Sequence, residues 1–140
     1  MISESLLKEY LASSYRIDAA GRELVLHVGV RSAELAALQR TREVESSAFV
    51  TAWNPGSRPL DEGENRQRND GLAREASARG FDLLRGRGHS PDRDWCEESY
   101  LILGIDRREA LAFARKCGQV AFLFMGRDAV PELVVCENEP

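Results

Sequence analysis

The sequence predicts an α+β fold built on a mostly antiparallel sheet. From Ala48 to Met125, strand-like and helix-like segments follow one another in the order strand, helix, strand, strand, helix, strand. That order is typical of a split βαβ, or ferredoxin-like, core, in which the first and third strands are central and antiparallel. An extra N-terminal helix and strand precede this core. We expect the helices to pack on one face of the sheet, and the 140 residues to form a single domain, 1–140.

The N-terminal third of the chain predicts two short helices with a strand between them. Ser3 can cap the first helix, and Ser32 can cap the second. Glu23 to Val28 has strand character and follows the Ala20-Gly21 turn. His27 lies in this strand without a carboxylate or cysteine at a telling spacing, which favours a structural histidine over a catalytic one.

The stretch from Ala48 to Asn69 organises the rest of the chain. Its first six residues are apolar and β-rich, which predicts a central strand. Asn54 precedes a proline and is therefore disfavoured in the helical region, so we expect the strand to end there. Asp61 and Glu64 form a capping pair for a helix that Gly80 closes.

The inward stripe of this helix changes character along its length. Leu72 and Ala76 are apolar, but the same stripe reaches Asn69 or Arg68 and then Asn65 towards the N-terminus. Buried amides and guanidinium groups need hydrogen-bond partners, because leaving one unpaired costs on the order of several kcal/mol. The pattern predicts either a pocket or side chains that brace the preceding loop.

The second half of the core is predicted from capping pairs and strand alternation. Within the strand that starts at Trp95, Glu97 and Glu98 point to opposite faces, and a shift of one residue would exchange them. The Arg-Gly-Arg-Gly run before it lacks the strand-loop-helix context of a phosphate loop, which favours a turn over an anion cradle. The predicted elements are a strand Phe81–Arg87, a hairpin loop Gly86–Asp94, a strand Trp95–Leu103, a helix from Asp106 to the stop at Gly118, a strand from Gln119 through Met125, and a last strand Glu132–Cys136.

Composition narrows the class of protein. Nineteen basic and 23 acidic residues give a net charge of −4, and the arginines are interspersed with acids, so no basic face for nucleic acid is expected. The chain has no apolar run long enough for a membrane and no secretory signal, which predicts a cytoplasmic protein. Three widely spaced cysteines and two histidines indicate reduced, mostly buried thiols and neither a metal site nor a cofactor.

The predicted topology gathers the polar residues at one end of the sheet. The end of the first core strand, the start of its helix, and the starts of the third and last core strands all lie at that edge. We therefore expect a pocket for a small anionic or nucleotide-like molecule, with Glu97 as a weak candidate for a general base. The candidate ligand-binding residues are Thr51, Trp53, Asn54, Asn65, Arg68, Trp95, Glu97 and Gln119.

These motifs also resemble a known family. The run Thr51-Ala52-Trp53-Asn54-Pro55, Asn65 with Arg68, the pattern Trp95-x-Glu97-x-Ser99, and Gly118-Gln119-x-Ala121 are similar to the landmarks of the bacterial domain-of-unknown-function family 3293. The resemblance covers nearly the whole chain and implies no activity. It implies that the landmark polar residues are Asn54, Asn65, Arg68, Glu97 and Gln119. The Gly-Ser-Arg-Pro-Leu stretch after the first motif has no clear counterpart.

Three functional hypotheses follow. In the first, Arg68 and the helix start hold an anionic group while Trp53 or Trp95 stacks on a planar ring. In the second, the protein is an interaction or regulatory module that forms a homodimer or docks a partner through a sheet face or edge. In the third, Arg68 and Glu97 form a structural ion pair. Without a clear nucleophile, the first hypothesis favours a binder over an enzyme.

Overall fold

The computed structural model describes residues 1–92 and 96–140. Within that part of the chain, four α-helices and seven strands are joined by short turns. Local capping explains every helix start, because the side chains of Ser3, Ser32, Asp61 and Asp106 each accept a backbone N–H of the first turn. In chain order the elements are α1 (Glu4–Ala12), β1 (Ser14–Ala19), β2 (Arg22–Leu26), α2 (Ala33–Thr41), β3 (Ser47–Val50), α3 (Glu62–Ala78), β4 (Asp82–His89), β5 (Cys96–Leu103), α4 (Arg107–Lys116), β6 (Ala121–Met125) and β7 (Glu132–Val135).

The seven strands form one antiparallel sheet in the order β2-β1-β4-β5-β3-β6-β7. The middle four strands, β4-β5-β3-β6, have the order that a split βαβ arrangement requires, with its first and third strands side by side at the centre. The predicted α+β class with an antiparallel sheet is therefore confirmed. The hairpin β1–β2 extends this core on one side, and β7 extends it on the other.

Each face of the sheet carries its own apolar cluster. On one face, α3 and α4 pack against the strands, with Leu72, Phe113 and Ile102 among the buried residues. On the other face, α2 contributes Leu35 to a cluster that includes Leu101. The alternation of β5 therefore places Ile102 and Leu101 on opposite faces, as the sequence predicts. The helices α3 and α4 therefore share one face of the sheet, whereas α2 lies on the other.

Strand β1 is absent from the sequence-based prediction. It pairs with β2 through the Ala20-Gly21 turn and with β4 along its other edge. The predicted hairpin loop from Gly86 is also wrong at its start, because β4 continues through His89. Gly86 is needed inside the strand, since an added Cβ would lie 2.5 Å from the carbonyl oxygen of Arg16 and 2.7 Å from the ring of Phe49.

Strand β3 ends at Val50, four residues before the predicted end at Asn54. Beyond Val50, side chains and not strand neighbours accept the backbone N–H groups of Ala52 and Asn54. Trp95, predicted to open β5, lies outside the described residues; the described strand begins at Cys96.

Candidate functional site

The segment 51–54, which follows β3, is held by amide side chains of α3. Asn69 accepts the backbone N–H of Ala52 at 2.7 Å, and Asn65 accepts the backbone N–H of Asn54 at 2.7 Å. Both helix asparagines are almost fully buried, with 4% and 2% of their surface exposed. Each amide accepts a backbone N–H that lies beyond the strand pairing of the sheet. The polar inward stripe of α3 therefore satisfies the backbone after β3 in place of a neighbouring strand.

Two longer side chains donate hydrogen bonds to backbone carbonyl groups of the same segment. The guanidinium of Arg68 donates from Nε to Ala52 O at 3.1 Å and from Nη2 to Cys117 O at 3.0 Å. The amide of Gln119 donates to Trp53 O at 3.1 Å. We call the side chains of Asn65, Arg68, Asn69 and Gln119 the amide clamp. They bind the end of β3 to α3 and to the start of β6.

The turn after the segment is itself unusual. Asn54 has a left-handed backbone with φ 45°, and its side-chain oxygen accepts from Leu60 N at 3.0 Å and from the Asn65 amide at 2.7 Å. Such a backbone is uncommon outside glycine and persists where its surroundings hold it. Gly118 lets the turn approach closely, because a Cβ there would lie 2.9 Å from the Cβ of Pro55.

Glu97 lies on the opposite face from α3, in a small cavity beside α1. The cavity measures about 30 Å³, the space of a single water molecule, and Tyr10 and Gln119 also line it. Burial raises the pKa of Glu97 to about 7, the charge of Glu9 adds to the rise, and the side-chain amide of Asn54 opposes it. Both protonation states of Glu97 are therefore populated near neutral pH.

Of the predicted residues, Thr51, Asn54, Asn65, Arg68, Glu97 and Gln119 lie at the same end of the sheet but on two sides of the segment 51–54, and Trp95 lies outside the described residues. Asn65 and Arg68 approach it from the α3 side, whereas Thr51 and Glu97 line the small cavity on the other side. Arg68 and Glu97 form no ion pair in the described part of the chain, so the third hypothesis finds no support as stated. Trp53 is half-buried.

A much larger cavity, of about 550 Å³, opens between α3 and the strands β1, β4 and β5. Its walls are strongly charged, and we call it the arginine cavity. Arg16 comes from β1, Arg85 and Arg87 come from β4, and Glu98 and Tyr100 come from β5. The two neighbouring glutamates are therefore assigned: Glu98 faces the arginine cavity and Glu97 faces the small one.

The cations of this cavity are incompletely paired. Arg16 and Arg87 lie directly opposite each other in the antiparallel ladder of β1 and β4. Arg16 reaches Glu23 through Nη1 at 2.6 Å, but its Nε is buried and has no hydrogen-bond partner among the described residues. Within the same part of the chain, Arg85 and Arg87 have no acidic partner within ion-pair distance. Guanidinium donors at this point therefore have no partner among the described residues.

The sequence contained a signal for this cavity that the predicted hairpin loop obscured. Arg85, Arg87 and His89 alternate with glycines, and on a continuous strand they share one face. The predicted loop begins at Gly86, and a loop does not place Arg87 and His89 on the same face as Arg85. Arg16 could not be associated with them, because its neighbourhood depends on the unpredicted pairing of β1 with β4.

Metal binding and thiol chemistry receive little support from the geometry. Among residues 1–92 and 96–140, no three His, Cys, Asp or Glu side chains are grouped to hold a metal ion. Burial raises the pKa of Cys117 to about 11 and also raises that of Cys136, which keeps both as thiols. Cys96 is exposed, contrary to the expectation that the cysteines are mostly buried.

Fold and site together define a small α+β protein with a clamped strand end and a charged cavity beside it. The chain belongs to the protein-of-unknown-function family DUF3293, whose model matches residues 50–122, and the predicted resemblance is confirmed. The match spans the whole amide clamp and most of the residues that line the arginine cavity, whereas Arg16, Asp18 and Glu23 lie outside it. No curated protein and no solved structure matches the chain. In the described part of the chain, no helix combines the length and the apolar character that crossing a bilayer requires.

Proposed function

We propose that this protein binds a small anionic or nucleotide-like molecule in the arginine cavity. The observation that carries the proposal is the directly opposed pair Arg16 and Arg87, together with the buried Nε of Arg16, which has no partner among the described residues. The volume of about 550 Å³ falls within the range usual for small-molecule sites.

This arrangement of arginines is unfavourable without an anion. Like charges directly opposite each other in a ladder destabilise the pair of strands. A buried donor without an acceptor costs about 1–3 kcal/mol in addition. A phosphate or carboxylate between Arg16 and Arg87 would relieve both penalties, because guanidinium groups bind such oxygens through parallel N–H donors.

In this proposal the amide clamp has a supporting role. Asn69 donates to Glu98 O at 2.7 Å while it accepts from Ala52 N, so it connects the segment 51–54 to the wall of the cavity. Arg68 is occupied by two carbonyl groups, which favours Arg16 and Arg87 as the anion contacts. The residues around Glu97 lie on the other side of the segment 51–54. Ligand contacts by these residues and by Trp53 remain predictions from the sequence.

The test is a thermal-shift screen of nucleotides and phosphorylated metabolites against the wild-type protein, Arg87→Gln and Arg108→Gln. Arg108 is an exposed arginine on α4, so its variant removes the same charge away from the cavity. We expect wild type and Arg108→Gln to respond alike and Arg87→Gln to bind roughly 10- to 100-fold more weakly, the loss expected for one charged hydrogen bond. Equal responses of all three proteins would contradict the cavity as the site. A flat wild-type response would favour an interaction module instead.

A further inference from the structure

We infer that the ligand carries a ring with N–H donors as well as an anionic group, and that Glu98 recognises the ring. The chemical class is an amino-substituted purine nucleotide, of which the guanine type fits best. This inference rests on the proposed function, since it concerns the same cavity. Its basis is Glu98, a carboxylate in the cavity wall that accepts no hydrogen bond from any described residue.

The wall of the cavity carries acids as well as arginines. The arginines are Arg16 on β1, Arg85 and Arg87 on β4 and Arg66 on α3, and the acids are Asp18 on β1, Glu23 on β2, Asp70 on α3 and Glu98 on β5. In the β4–β5 ladder Arg87 is directly opposite Glu98, yet the two side chains form no ion pair. A ligand bound beside Arg87 would therefore meet guanidinium donors and a carboxylate acceptor next to each other.

Glu98 is held in place and remains available to a ligand. Its backbone carbonyl accepts from Thr51 Oγ1 at 2.6 Å and from Asn69 Nδ2 at 2.7 Å, so the backbone that carries the carboxylate is fixed from two directions. The side chain is half-buried, and no described residue donates a hydrogen bond to its carboxylate. The carboxylate therefore keeps its acceptor sites for a ligand.

The chemistry of a carboxylate selects the ring. An ionised carboxylate only accepts hydrogen bonds, and it accepts best from two parallel N–H groups. The edge of guanine presents such a pair, its ring N–H and its 2-amino group. Tyr100, two residues after Glu98 on the same face of β5, adds an aromatic wall against which a planar ring can lie. The phosphate of the same molecule would then face Arg16 and Arg87.

The test compares ligands that differ in one group. Guanosine monophosphate, inosine monophosphate, which lacks the 2-amino group, and inorganic pyrophosphate are titrated calorimetrically into wild type, Glu98→Gln and Glu4→Gln. Glu4 is exposed on α1 and serves as the matched charge control. We expect wild type and Glu4→Gln to bind the guanine nucleotide about 10-fold or more tightly than the inosine nucleotide. In Glu98→Gln this ratio should fall below about 3, while pyrophosphate binding is kept.

The outcomes separate this inference from the proposed function. Equal binding of the two nucleotides by wild type, or an unchanged ratio in Glu98→Gln, would overturn the role of Glu98 and leave the anion site standing. Loss of pyrophosphate binding in Arg87→Gln would then still support that site. No binding of any of the three compounds by wild type would overturn both.

Discussion

The amide clamp and the arginine cavity, both beside the N-terminal half of α3, differ in how completely their polar groups are hydrogen-bonded. In the amide clamp, the side chains of Asn65, Asn69 and Gln119 each meet a backbone group at hydrogen-bond distance. In the arginine cavity, Arg16 retains a buried donor that has no acceptor among the described residues. We therefore propose that the clamp is a structural device and that the cavity is the binding site.

Two arginines show the difference most clearly. Arg68 is largely exposed, but its Nε and Nη2 both donate to carbonyl oxygens of the chain. Arg16 is less exposed, with 29% of its side chain accessible, but its Nε has no partner among the described residues. Exposure alone would suggest Arg68 as the ligand contact, whereas the hydrogen bonds favour Arg16.

The largest effect is expected from breaking the clamp. Asn65→Ala leaves the buried N–H of Asn54 without an acceptor and removes the amide that donates to the Asn54 side chain. We expect the free energy of unfolding to fall by about 2–4 kcal/mol, measured by urea denaturation. Gln67→Ala, an exposed position on the same helix, is the control and should change it by less than about 0.5 kcal/mol. A small loss for both variants would mean that the clamp is not structural.

A somewhat smaller effect is expected at the floor of the arginine cavity. Gly86→Ala drives a Cβ into the carbonyl of Arg16 and the ring of Phe49, which should cost about 1–3 kcal/mol. Gly71→Ala is the matched control, because the nearest atom there is an Arg74 side-chain nitrogen at 3.9 Å and alanine favours the helix. That control should stabilise the protein by about 0.5–1 kcal/mol. Thermal denaturation should show a lower melting temperature for Gly86→Ala and a higher one for Gly71→Ala. A change in the same direction for both variants would contradict the close approach of β1 and β4.

The smallest effect concerns the cavity around Glu97 and depends on pH. Its pKa rises from an unfolded value of 4.5 to about 7, so the native state holds the proton more tightly and stability falls as pH increases between these values. Glu97→Gln removes this dependence. We expect the variant to be more stable than wild type by about 1–2 kcal/mol at pH 8 and nearly equal to it at pH 4.5, as followed by melting temperature. A difference that does not change with pH would exclude a buried, protonated Glu97.

Local signals in the sequence account for much of the fold. The helices α3 and α4 are predicted from the capping pairs at Asp61 and Asp106 and from their glycine stops, all of which act within a few residues. The order of the core strands follows from the order of elements. Strand β1 was not predicted, because a six-residue strand acquires its stability from partners that pair with it at a distance.

The site is less accessible to sequence-based reasoning for the same reason. The inward stripe of α3 indicates buried asparagines, but the backbone N–H groups from which Asn65 and Asn69 accept lie 11 and 17 residues away. The arginine cavity brings residue 16 next to residue 87, and no local pattern encodes that register. The sequence therefore predicts which end of the sheet is polar, whereas the distinction between paired and unpaired groups requires the structure.

The most direct test of the central claim observes the Nε–H signals of arginine by NMR during a titration with inorganic pyrophosphate. The account predicts that the signal of Arg16, whose Nε has no partner among the described residues, shifts progressively and saturates. The signal of Arg68, already bonded to Ala52 O at 3.1 Å, should stay in place. A shift of Arg68 with Arg16 unchanged would contradict the account and return the ligand to the amide clamp.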